Sequence, residues 1–137
     1  MDRSPDERAP DERAPDERAW FSGLADALAQ AIVDARGCAA ACEELLESAR
    51  ATLAPAEQQR LLRTIVLPAA ISGVLVDLAD RPPQLVLAAA RVCRETSVTA
   101  LEQLALHRPP LDCTAAATAL RRAADSCGRL LAAADRG

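Results

Sequence analysis

The chain has 137 residues, half of them hydrophobic, with one Phe, one Trp and no Tyr. A core of Ala, Leu and Val suits closely packed helices and argues against a sheet, whose strands need β-branched and aromatic runs. Sixteen basic residues, all arginine, against twenty acids give a formal net charge of -4, with no basic face for nucleic acid.

Asp-Glu-Arg-Ala-Pro stands at residues 6 to 10 and again at 11 to 15, followed by Asp-Glu-Arg-Ala at 16 to 19. A proline every fifth residue removes helix donors and the segment has no apolar anchors, so residues 1–19 read as a solvated, disordered acidic tail. Such a tail is either a spacer or a tether to a partner in a protein assembly. No cationic stretch leading into an apolar one opens the chain, and its apolar runs read as shorter than a membrane span. The expectation is a cytoplasmic protein without membrane contact, its thiols reduced; five cysteines, an odd number, also argue against a complete disulfide framework.

From Trp20 to about Arg50, the residues Leu24, Leu28, Ala31, Ala35, Cys38, Cys42, Leu45 and Ala49 fall at steps of four, three and four, the period of one helical stripe. Pro55 suits the first turn of a second helix reaching about Ala79, with Leu61, Leu62, Ile65, Val66, Ala69, Val74, Val76 and Leu78 on its apolar side. Pro68 falls inside this helix and predicts a kink or local opening. Arg81-Pro82-Pro83 and Arg108-Pro109-Pro110 punctuate the remainder, leaving helices from about Gln84 to His107 and from about Leu111 to Ala134. Connections this short join antiparallel neighbours, so residues 20–137 are expected to form an all-α, antiparallel up-down-up-down four-helix bundle behind the N-terminal tail. Ala31, Ala35 and Ala39 are small enough to permit close helix approach between copies, hence a homo-oligomer.

Cys38 and Cys42 lie one turn apart and face the same way, so they can offer two soft ligands to one metal ion; as small hydrophobes they can equally fill a core. On the third helix Cys93, Ser97, Ala100, Leu104 and His107 follow a seven-residue repeat, as do Cys113, Ala116, Leu120, Ala123 and Cys127 on the fourth. Each set therefore lies on one inward seam. Measured from the end where the first and third helices finish, the helical rise puts Cys42 at about 12 Å, Cys38 at about 18 Å, Cys93 at about 21 Å and Cys127 at about 25 Å, with Cys113 and His107 within about 5 Å.

In Gly-Cys-Ala-Ala-Ala-Cys-Glu at 37–43, Ala-Ala-Arg-Val-Cys-Arg-Glu at 89–95 and the segment from His107 to Cys127, the sequence resembles the cysteine-rich four-helix-bundle copper storage proteins, over roughly residues 30 to 134. In that family, CxxxC pairs and heptad-spaced cysteines line a bundle that holds many Cu(I) ions. The resemblance implies Cu(I) binding by Cys38, Cys42, Cys93, Cys113 and Cys127, with His107 matching a histidine near the bundle mouth. The intervening stripe positions that the family fills with cysteine are here Ala, Leu or Ser, and the second helix has no cysteine. Cu(I) prefers thiolate and thioether donors and the sole Met is Met1, so a cysteine-depleted, divergent member holding a few ions is implied. The competing expectation is a metal-free structural or interaction module that joins an assembly through its tail or a helix face. No enzyme is expected: there is no glycine-rich phosphate loop and no nucleophile elbow, and His107 is the single histidine to serve as a general base.

Overall fold

The structure, a computed structural model, describes residues 15–135, which form α1 (Pro15–Thr52), α2 (Pro55–Asp77), α3 (Pro83–His107) and α4 (Thr114–Asp135). Neighbours pack in a closed ring, α1 on α2, α2 on α3, α3 on α4 and α4 on α1. With such short connections this is the antiparallel up-down-up-down four-helix bundle. The expected tail lies outside the described residues as far as residue 14, whereas residues 15–19 already belong to α1. Pro15 tolerates the first helical position because the donor it lacks has no partner there.

At 38 residues α1 is much the longest helix, about 57 Å against about 33 Å for α4. Its N-terminal part is tied down by Trp20, whose Nε1 donates to the Ala133 carbonyl at 2.9 Å and whose ring meets Phe21 edge-on at 4.6 Å. Ala31, Ala35, Cys38, Cys42, Leu45 and Ala49 are buried along the inward stripe, with Leu24 and Leu28 packed against its outer end. Ala31 and Ala35 are thus spent inside the bundle and do not offer a small-residue face to another copy.

The inward stripe of α2 is Leu61, Ile65, Pro68, Ser72 and Leu75. This narrows the broad apolar side read from the sequence: Val66 and Val74 face outward, as does Leu67. Hydropathy could not phase a helix that is apolar almost all round. α2 runs through Pro68 as one helix, with the proline ring on the buried stripe. The reading that no apolar run reaches a membrane span is corrected here, since α2 is long and apolar enough to cross one by length and composition. In the bundle its inward stripe is occupied by α1 and α3.

α3 ends where Arg108 takes a left-handed conformation (φ 40°) and its N–H caps the Leu104 carbonyl at 3.0 Å, and Pro109 then forbids further helix. α4 starts at Thr114, three residues later than Leu111, because the Asp112 carboxylate accepts the Thr114 N–H at 2.9 Å. Asp112 is held below the usual carboxylate range by that residue's side chain and backbone donors.

Candidate metal centre

The later start of α4 alters the register of the thiols. Counted from Thr52, His107 and Thr114, the helical rise places Cys38, Cys93 and Cys127 at about 21, 21 and 20 Å, and Cys42 at about 15 Å. Three of the four helices thus bring thiols to nearly one level, and all four side chains are inaccessible to solvent. Apolar residues close this layer along the axis, with Leu45, Leu61, Ile65, Leu104 and Leu120 on the His107 side and Ala31, Leu75, Val86 and Leu130 on the other.

The thiols act on one another in pairs. Hydrogen bonding from Cys42 is the largest influence on Cys38 and holds its thiol below the ordinary range, while the same interaction and burial push Cys42 up. Between α3 and α4 the pattern repeats: hydrogen bonding from Cys127 pulls Cys93 down to about 6, and Cys127 is pushed up by that interaction and by burial. In each pair, then, one thiol is shifted toward the thiolate and its partner toward the protonated form. The pairs also feel each other electrostatically, Cys93 and Cys127 both coupling to Cys38.

Two hydroxyls share the layer. Ser72 Oγ lies 3.6 Å from Cys93 Sγ and also favours the thiolate of Cys38. Ser97, one turn beyond Cys93, is wholly buried. Its hydroxyl favours the Cys93 thiolate, yet among the described residues no group stands in hydrogen-bonding geometry with it. On the α1–α4 seam, buried Ser126 donates to Asp34 Oδ2, which also accepts from Gln30 Nε2 at 3.1 Å, and Arg129 Nη2 donates to Ser126 Oγ at 3.2 Å. The Asp34 charge contributes to the upward push on Cys127.

Cys113 and His107 stand apart from this layer. Cys113 precedes α4, is half-buried, and its thiol donates to its own segment at the Leu111 carbonyl, 3.6 Å away. Burial, then the Asp112 charge, raises it. His107 is exposed and its Nε2–H donates to Gln103 Oε1 at 2.9 Å. The two line different hollows: His107 a cavity of about 270 Å³ with Glu57, Arg60 and Arg108, and Cys113 one of about 450 Å³ with Asp112 and Arg121. Among the described residues no three His, Cys, Asp or Glu side chains are gathered so as to hold a metal ion. What the fold brings together is Cys38 with Cys42, and Cys93 with Cys127.

The hydroxyl of Ser72 escaped the sequence reading. Continuing the four-three step of Leu61, Ile65 and Pro68 arrives at it, and only the apolar surround of α2 obscured that phase. Asp34 and Ser126 had no sequence signal, because their meeting depends on how α1 and α4 are set side by side.

A closed ring of four antiparallel helices with thiols buried at mid-height defines a cysteine-cored four-helix bundle. The sequence profile of the copper storage protein family matches residues 24–132, which takes in nearly the whole bundle. The chain belongs to that family. No curated protein and no solved structure gives a match to it.

Proposed function

We propose that this protein binds Cu(I) as cargo in the reducing cytosol, one ion at each buried thiol pair, Cys38 with Cys42 and Cys93 with Cys127. The observation that carries the reading is the pairing itself: two sets of soft donors, each acting on its partner, in a layer sealed from water. Cu(I) is a soft cation that thiolates select, and two of them in line satisfy it without a third ligand. Family membership supports copper as the cargo. No catalytic step is part of the proposal. Cys113 and His107 are assigned no ion in the layer; their place is the bundle end, where an arriving ion would first meet protein.

Capacity follows from donor count. Where Ala, Leu and Ser replace further thiols along the stripes there is nothing to hold copper, so uptake is expected at about two ions per chain. Reduced protein titrated with Cu(I) against a chromogenic chelator checks this. Uptake near that value supports the reading, and copper left entirely with the chelator sinks it.

A second reading, a helical module that joins an assembly or a second copy, draws on one observation: Val66, Leu67 and Val74 leave an apolar strip along the outside of α2. Light scattering of the protein and of a Leu67→Glu, Val74→Glu variant checks it. Assembly of the parent that the variant loses supports it, and a parent monomeric throughout removes self-association.

A further inference from the structure

We propose that Ser72 and Ser97 belong to the metal centre as positioning residues, their hydroxyls donating hydrogen bonds to the copper-bound thiolates. This rests on the Cu(I) reading above and adds to it a device for tolerating buried charge. When one Cu(I) enters a thiol pair, whatever S–H protons the pair still holds leave to solvent, two S–Cu bonds form, and no oxidation state changes. The product is a bis-thiolate unit with one net negative charge. Buried between apolar layers, such a unit needs donors, because an uncompensated buried charge is strongly disfavoured.

The surroundings supply few. The arginines flanking the cysteines, Arg36, Arg91, Arg94, Arg121, Arg122 and Arg129, are all exposed, and Asp34 on the Cys127 side brings charge of the wrong sign. What reaches the layer is the hydroxyl of Ser72, 3.6 Å from Cys93 Sγ and acting on both thiol pairs, and that of Ser97. Helical hydroxyls commonly bond back to a carbonyl one turn earlier. Thr52, Thr64 and Thr96 do so here, at 2.7, 3.0 and 2.8 Å. Ser97 makes no such bond, and its buried oxygen has no hydrogen-bond partner among the described residues. A buried orphan hydroxyl is rare and calls for a reason. The loaded centre provides one, since a copper-bound Cys93 is held as the thiolate that the Ser97 hydroxyl favours.

Ser72→Ala and Ser97→Ala, singly and together, are to be compared with the parent by competition for Cu(I) with a chelator. Each single variant is expected to bind about tenfold more weakly, as for loss of a hydrogen bond to a charged group, with unchanged stoichiometry. The thiolate-to-copper absorption should move to lower energy, and Ser97→Thr, which keeps a hydroxyl, should restore affinity and band. Parent-like affinity and spectrum in both alanine variants, with the parent itself binding copper, would overturn the serine assignment alone. A parent that takes up no Cu(I) would overturn the functional reading with it.

Discussion

The middle of the bundle and its His107 end carry the same kinds of residue on the same heptad stripes, yet only one is a candidate centre. At mid-height every helix contributes a small, soft or polar side chain: Cys38 and Cys42 from α1, Ser72 from α2, Cys93 and Ser97 from α3, Cys127 from α4. All are sealed from solvent and act on one another. At the end, His107 turns to Gln103 on its own helix and Cys113 to the carbonyl of Leu111. Cys113 lies ahead of the first turn of α4 and His107 is the last residue of α3, so the helices do not carry either onto the inward seam. A ligand-like residue at the right spacing therefore meets others of its kind only where the stripes converge.

The sharpest way to break this contrast is to remove thiols from each region in turn. Cys38→Ser with Cys42→Ser is expected to abolish about half of the copper uptake, and adding Cys93→Ser with Cys127→Ser to abolish the rest. Cys113→Ser with His107→Ala should leave capacity unchanged. Copper analysis of the desalted, loaded proteins decides between them, and capacity that falls with the end residues instead would reverse the assignment.

The apolar layer between the two regions comes next. Leu120 is wholly buried beside the thiol layer, so Leu120→Ala should lower stability by about 2–5 kcal/mol. Leu106, 72% exposed at the His107 end, should change it by less than about 0.5 kcal/mol when cut to Ala. Chemical denaturation of both variants checks the pair; equal effects would mean that the layer is not packed as described.

A subtler test concerns protons. Cys93 sits near 6 chiefly because Cys127 hydrogen-bonds its thiolate, while an unperturbed thiol sits at 9.0. Because the folded value lies below the unfolded one, the stability this thiolate contributes grows as pH rises above about 6 and is lost as pH falls through it. Cys127→Ala removes the donor and should move the midpoint of the Cys93 thiolate ultraviolet band upward. Cys42 and Cys127 hold their protons more tightly than free thiols, so copper must displace them and its affinity should climb with pH across the neutral range.

Much of this was legible in the residues. The steps from Leu24 to Ala49 describe the buried face of α1, and the heptads of α3 and α4 place Cys93, Leu120 and Cys127 inward as observed. Periodicity failed on α2, where Val66 and Val74 look as apolar as the core and Ser72 does not. The level of Cys127 was misjudged because the Asp112 cap, a local hydrogen bond, delays α4 by a turn. Pairing was beyond reach from one helix at a time: that Cys93 answers Cys127 and Ser72 stands between the pairs depends on the facing of three helices.

The most direct test is the copper K-edge absorption spectrum of the reduced protein loaded to capacity. Two sulfur neighbours per Cu(I), without nitrogen or oxygen, are what the paired thiols predict. A shell containing imidazole nitrogen, or a protein that retains no copper to measure, would contradict them.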